Sequence, residues 1–195
     1  MTYQEQRTTL RRLLISNRML LALEAMEFAE RFHTGRRLDG SHEFSHQIEM
    51  AELLLEIAAL PDRDETLAVC FLHDVREDYG VRDDVLRVRF GSRVADAVHC
   101  LTKTLSPGEI DPFRKISSNA IASVVKAADR IHNLGTMEGA FSFTKQQRYH
   151  AETQDQICPM LITARARHTS RQHALTYLLR GLDRLSPPLD LRIGA

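Results

Sequence analysis

The sequence predicts an all-α fold, a single bundle of helices without a sheet. Three observations carry that reading. Apolar residues recur at three- and four-residue intervals along most of the chain, the pattern of a helix with one buried face. Glycine and proline are sparse, nine and six in 195 residues. No segment alternates with period two over enough residues to make a strand that could pair. A chain of this length, 43% hydrophobic, can bury one core without covalent staples.

The elements follow in order. Ile15, Met19, Ala22, Met26 and Ala29 share a stripe, so one helix is expected from about residue 10 to His33. Gly35 and Gly40 bracket a basic loop, Arg36-Arg37-Leu38-Asp39. A second helix is expected over 44–59, turning Ile48, Ala51, Leu54, Leu55 and Ala58 inward, and Pro61 ends it. Asp62 with Glu65 three residues on has the form of a capping box, opening a helix through Thr66–Asp78 that Gly80 closes. Val85–Phe90 continues the pattern, and Ser92 is the expected cap of a helix over Val94–Lys103. Ser106, Pro107, Gly108 and Pro112 mark a loop. Ser117 or Ser118 then starts a helix through Met137, and two more cover about 143–163 and 169–185. Pro187-Pro188 begins a frayed tail, which places the expected domain at 1–186 and the tail at 187–195. No internal repeat, low-complexity block or linker interrupts it.

Charge and cysteine content exclude several classes of function. Twenty-six basic against 26 acidic residues argue against a general binder of nucleic acid polymers or anionic membranes, so a polyanion must be met by a local pocket. No apolar run approaches the ~20 residues of a membrane span, and Met1 to Arg7 do not open a signal peptide. Cys70, Cys100 and Cys158 are odd in number, far apart, and form no CxxC pair; they read as reduced core thiols of a cytoplasmic protein.

Nine histidines in a chain without tryptophan draw attention to three clusters. In Cys70-Phe71-Leu72-His73-Asp74-Val75-Arg76-Glu77-Asp78, apolar residues lead into an adjacent His-Asp pair with a carboxylate four residues beyond each. On a helix that spacing sets His73 beside Glu77 and Asp74 beside Asp78; a solvated face is the alternative reading. In Lys126-Ala127-Ala128-Asp129-Arg130-Ile131-His132-Asn133, Asp129, Asn133 and Thr136 share a stripe of an otherwise apolar helix, with Lys126 one turn earlier. Asp129 therefore points inward and needs a partner, either a cation or a basic residue of a neighbouring helix. His46 opens an amphipathic helix, but His42 stands four residues earlier, and spacing does not choose between them. Two imidazoles with two carboxylates suit Mn²⁺, Fe²⁺ or Zn²⁺ better than the all-oxygen preferences of Ca²⁺ or Mg²⁺. Such an ion would lower the pKa of a water and polarise the group it attacks.

The ordered set resembles the signature of the HD superfamily of metal-dependent phosphohydrolases, H…HD…D, and within it the hydrolase domain of RelA/SpoT proteins and small alarmone hydrolases. The shared stretches are His33-Thr34-Gly35-Arg36-Arg37-Leu38-Asp39-Gly40, Phe44-Ser45-His46, His73-Asp74-Val75-Arg76-Glu77-Asp78, Phe90-Gly91, Leu101-Thr102-Lys103, the Lys126–Asn133 run and Glu152-Thr153, spanning roughly residues 25–165. The resemblance implies a helical HD-domain bundle that removes 3′-pyrophosphate from guanosine tetra- or pentaphosphate with Mn²⁺, Fe²⁺ or Zn²⁺ being further candidates. It implies His46, His73, Asp74 and Asp129 as metal ligands, which selects His46 over His42. It implies Glu77 and Asp78 as the carboxylates that position or deprotonate the attacking water, and Arg37, Asn133 and Thr136 as nucleotide contacts. Leu38 stands where the family often has Lys, and Ile157 where a Tyr is usual; both positions are expected near the nucleotide. With no stretch for the synthetase half, a dedicated hydrolase is expected. Two other readings keep the fold: an HD enzyme with another substrate, such as a nucleoside monophosphate phosphatase or dNTP triphosphohydrolase, and a non-catalytic HD binding module. Partners beyond a small nucleotide are not implied, and no oligomeric state is legible.

Overall fold

The computed structural model describes residues 1–103 and 111–186, so the loop expected at Ser106-Pro107-Gly108 and the tail from Pro187 lie outside the described residues. Helices α1 (Tyr3–Ser16) and α2 (Leu20–Ala29) replace the single helix expected over 10–33. The Thr2 hydroxyl and the Glu5 carboxylate cap α1 reciprocally. The Asn17 side-chain amide donates to the Leu13 carbonyl at 2.8 Å, and Arg18 turns left-handed at φ 57°. That break changes which face is buried: Leu10 and Leu14 pack inside while Ile15 is 43% exposed.

Helix α3 (Ser45–Glu56) ends earlier than expected, leaving Ala58 exposed beyond it. The helix expected through Thr66–Asp78 divides into α4 (Arg63–Leu72) and α5 (Val75–Tyr79). The division falls at His73, whose ring Nδ1 lies 2.8 Å from the Cys70 carbonyl and takes over an acceptor that helix backbone would otherwise use. Gly80 closes α5 at φ 65°, as its position predicts. The capping box at Asp62 does not form. Asp62 is left-handed (φ 47°) and its carboxylate binds Arg93 and Arg171 instead, at 2.8 and 3.2 Å.

Helix α6 (Asp83–Leu101) bends at Gly91 (φ 82°), which explains why the sequence reads it as two stretches. Pro112, expected in a loop, is the first residue of α7 (Pro112–Ser118). Helix α8 (Ala120–Thr136) is capped by Asn119, not by Ser117 or Ser118: the Asn119 side-chain oxygen accepts from the N–H groups of Ile121 and Ala122. A π-helical turn, Thr153–Ile157, joins α9 (Phe143–Glu152) to α10 (Cys158–Arg167), and a 3₁₀ turn precedes α11 (Gln172–Leu185).

Beyond its charged first turn, helix α4 is buried on every side from Thr66 to Leu72, so it sits in the centre with α2, α3, α6 and α8 around it. Helix α11 covers α8 and α10. Buried side chains from α1 to α11 form one contiguous cluster. Among the described residues no strand forms; Arg36 and His42 make an isolated antiparallel bridge across the basic loop.

The fully buried Arg171 ties the start of α11 to the start of α4 by donating to Thr66 Oγ1 at 3.1 Å and Asp62 Oδ2 at 3.2 Å. Replacing it by Ala is expected to destabilise the fold by about 2 kcal/mol, read by chemical denaturation, because a charged hydrogen-bond set in the interior is lost. The Asp62 carboxyl is held below its ordinary range by Arg93, against an opposing effect of burial and with help from Arg171. Its contribution is therefore full above the ordinary carboxylate pKa and fades as pH falls through the depressed value. The stability gap between the native chain and Asp62→Asn should accordingly be largest at neutral pH and shrink below about pH 4.

Candidate metal centre and active-site cavity

Three helix segments bring together residues far apart in the sequence. His46 is the second residue of α3, His73 follows the last residue of α4, and Asp129 lies in the middle of α8. One ligand atom from each falls within 4.8 Å of the others. Both imidazoles are buried, and the Asp129 side chain is only 13% exposed. His42, the other candidate, is elsewhere: its ring stacks on Tyr3 with centroids 3.9 Å apart.

The hydrogen bonds fix how the donors face. His73 Nδ1 must donate to the Cys70 carbonyl, which makes Nε2 the ring atom available to a metal; that buried nitrogen faces Asp74 Oδ2 at 2.9 Å. His46 presents Nε2 at 3.4 Å from Asp129 Oδ1 and turns Nδ1 toward His132. Asp129 accepts from Lys126 Nζ at 2.9 Å and from the Asn133 amide at 2.6 Å. The buried salt bridge expected of Asp129 thus exists, but its partner is one turn away on its own helix. Burial alone would raise the Asp129 pKa; the Lys126 ammonium, with His46 and His73, instead holds it well below the carboxylate range. Burial pushes His46 down to about 4 despite the pull of Asp129, so it is neutral, as a ligand must be. At His73 burial is outweighed by Asp74 and Asp129, which raise its pKa to about 9. Positive charge is favoured at that spot. Two imidazole nitrogens and a carboxylate oxygen within 4.8 Å of one another, in a setting that favours positive charge, fit a divalent metal ion of borderline softness.

Asp74 stands beside this group but outside it: Oδ2 is 2.9 Å from His73 Nε2, and a third of its side chain is exposed. The group forms the floor of a cavity of about 440 Å³, with Asp74, Glu77 and Asp78 on one wall and Arg37, Lys103 and Lys126 among the basic residues lining it. Because the helix breaks at His73, Glu77 is not held by the α4 repeat; it accepts the Lys103 backbone N–H at 3.0 Å. Partial burial and the Asp74 and Glu77 charges raise the Asp78 pKa.

The expected nucleotide contacts are placed unevenly. Arg37 and Asn133 line the cavity, and Arg37 Nη2 donates to Asn133 Oδ1 at 3.4 Å. Asn133 is therefore engaged on both sides, joining the basic loop to Asp129. Thr136 does not reach the cavity. Its hydroxyl donates to the His132 carbonyl, and it lines an adjoining hollow of about 270 Å³ with Arg36, Arg37 and Leu38. Ile157 is wholly buried and lines no part of the cavity, so that difference from the family pattern lies in the core, contrary to its expected place near the nucleotide. Four residues escaped the sequence reading as site components: Lys126 as the partner of Asp129, Arg130, His132 and Glu49. Arg130 is buried against the Tyr149 ring and donates to Glu152 at 2.6 Å. His132 lies three residues beyond Asp129 and Glu49 three beyond His46, one helical neighbour from each ligand, and that spacing was the available signal.

The described residues thus form a helical bundle with a candidate metal site, a His-His-Asp group under a cavity rimmed by acidic and basic residues. The HD domain family model matches residues 25–157, and the chain belongs to that family. It is 31% identical over 153 residues to a probable guanosine-3′,5′-bis(diphosphate) 3′-pyrophosphohydrolase of Synechocystis, covering 72% of this chain and 20% of that protein. It is 29% identical over 140 residues to the guanosine-3′,5′-bis(diphosphate) 3′-pyrophosphohydrolase of Haemophilus influenzae, covering 66% and 20%. A probable chloroplastic GTP diphosphokinase of Oryza sativa is 30% identical over 157 residues, with 72% and 21% covered. The chain thus spans about a fifth of the length of these relatives. Among solved structures, a metazoan ortholog of SpoT described as hydrolysing ppGpp superposes with a TM-score of 0.62 at 20% identity, over 82% of this chain and 94% of that one, which shows a common fold.

Asp129→Ala removes a donor and leaves Lys126 buried without its partner. The variant is expected to lose stoichiometric Mn²⁺ in an equilibrium titration and about 3 kcal/mol of stability by denaturation. Full Mn²⁺ occupancy in that variant would place Asp129 outside the coordination sphere.

Proposed function

We propose that this chain hydrolyses guanosine 3′,5′-bis(diphosphate)-type alarmones, releasing pyrophosphate from the 3′ position, and that residues 1–186 act as one domain. The observation that carries the proposal is the placement of Glu77 and Asp78 at the wall of the cavity whose floor is the His46–His73–Asp129 group, in a chain similar to relatives named for that reaction. His46, His73 and Asp129 would hold the ion, and Asp74 would join them as a fourth ligand by turning its carboxylate from His73 Nε2 toward it, with Mn²⁺ the proposed metal and Fe²⁺ or Zn²⁺ the alternatives. Such an ion, when bound, supplies Lewis acidity to the attacking water and to the phosphoryl group.

The remaining chemistry belongs to the side chains. Asp78, with its pKa raised, is suited to take the proton of the attacking water on a carboxylate oxygen, and Glu77, anchored by the Lys103 N–H, orients that water. Arg37 and Lys126 line the same cavity and would supply positive charge as negative charge grows on the phosphates. Asn133 holds Arg37 against Asp129, so phosphate binding and the metal floor share one support. Thr136 enters only through the adjoining hollow that Arg37 also lines. The substrate class is a small nucleotide rather than a nucleic acid polymer or a membrane; among the described residues no helix is long and apolar enough to cross a membrane. Unpaired thiols at Cys70, Cys100 and Cys158 support a cytoplasmic, reducing setting as part of the proposal.

One observation favours a second reading, an HD phosphohydrolase with another nucleotide substrate. Leu38, 74% exposed in the hollow beside Arg37, leaves the loop one cation poorer than the family often has it.

Purified protein with Mn²⁺ and guanosine tetraphosphate should yield GDP and pyrophosphate; no turnover with the metal bound would contradict the proposal, and different products across a nucleotide panel would favour the second reading. Glu77→Ala should keep its Mn²⁺ while turnover falls by about a hundredfold or more. Undiminished turnover would remove Glu77 from the reaction.

A further inference from the structure

Two ligand imidazoles in this site need the same thing, a lone pair on Nε2, and they obtain it by different devices. For His73 the device is backbone: a carbonyl can only accept, so Nδ1 must carry the proton. For His46 the atom facing Nδ1 is another ring nitrogen, His132 Nδ1, at 2.9 Å, with the rings in an edge-on arrangement and centroids 4.5 Å apart. A nitrogen-to-nitrogen contact does not by itself say which ring donates. The next bond does. His132 Nε2 lies 2.9 Å from Glu49 Oε2, and a carboxylate only accepts, so His132 carries its proton on Nε2 and offers a lone pair at Nδ1.

We propose that Glu49 and His132 form a two-step relay that fixes the proton of His46 on Nδ1, making both of them positioning residues for the metal centre. The inference rests on the metal-site reading above and is independent of which nucleotide is the substrate. Reversing the relay would turn a His132 lone pair toward the Glu49 carboxylate and put a proton on His46 Nε2, the atom that faces Asp129 and the ligand point. The relay runs outward from the buried site: the His132 side chain is 8% exposed, and its carboxylate partner Glu49 is 40% exposed. Outer partners that orient a ligating histidine govern metal affinity as well as ring angle. Here the orienting carboxylate acts through an intervening imidazole, from α3, the same helix that carries His46, to α8, which carries Asp129. The relay therefore fastens the two ligand-bearing helices to each other.

The test uses the full chain. In the metal-free protein, long-range ¹H–¹⁵N spectra of the histidine rings should show the His46 proton on Nδ1. In Glu49→Leu it should move to Nε2, and Mn²⁺ affinity should fall by about 10- to 100-fold in an equilibrium titration. Glu49→Gln retains an acceptor oxygen for His132 and should stay close to the native chain in both measurements. Glu49 is partly exposed, so both variants are expected to fold, and thermal denaturation checks this. An unchanged His46 tautomer in Glu49→Leu would overturn the relay. So would a Glu49→Gln variant as impaired as Glu49→Leu, since charge rather than proton placement would then be responsible. If the native chain fails to bind Mn²⁺ at all, the metal reading falls, while the ring spectra still decide the relay.

Discussion

A carboxylate held inside the apolar face of α8 is the constraint around which this molecule is arranged. Asp129 is flanked by buried Val125, Ala127 and Ala128 and would be costly to ionise there without close positive charge and hydrogen bonds. The fold meets that requirement with Lys126 and Asn133 on its own helix and with His73 from the end of α4, while His46 from α3 packs its ring 3.4 Å from the carboxylate. None of these groups is free to move independently. Lys126 is only 17% exposed, Asn133 is tied to Arg37, and each imidazole is held at its Nδ1. A change at Asp129 therefore propagates to the basic loop, to the α3–α8 contact and to the break after α4.

That break shows the sequence acting through local structure on the site. A continuous helix from Thr66 to Asp78 would pair the Cys70 carbonyl with a backbone N–H, yet the His73 ring takes that carbonyl and the chain restarts at Val75. Its consequence is a histidine aimed from the end of the central helix with Asp74 directly in front of it. Glu77 and Asp78 then follow on a short helix closed by Gly80 and line the cavity. Acidic side chains and the basic Arg37, Lys103, Lys126 and Arg130 thus line one cavity, an arrangement suited to a metal ion carrying a polyphosphate.

The bundle was legible because helix periodicity is a local property that burial reinforces; α4, α8 and α11 follow directly from their apolar spacing. The interruptions were not, because each is decided by one side chain competing for backbone: Asn17 ending α1, Asn119 rather than a serine starting α8. Asp62 has capping-box spacing, but the tertiary pairing with Arg93 and Arg171 wins over the local one. In the site, adjacency in sequence made His73 and Asp74 conspicuous, and the apolar setting of Asp129 made it so. His46 was indistinguishable from His42 by spacing, and the difference is tertiary: one ring faces Asp129, the other packs on Tyr3. His132 and Glu49 lie 83 residues apart and carry no joint pattern, so only the fold discloses their contact.

The proposed metal centre rests on the convergence of His46, His73 and Asp129, with Asp74 beside them as the proposed fourth ligand. Crystals grown with Mn²⁺ and measured at its absorption edge test it most directly. The account predicts a single anomalous peak bounded by the Nε2 atoms of both histidines and the carboxylates of both aspartates. A peak coordinated by other residues, or none at this point with Mn²⁺ in excess, would contradict it.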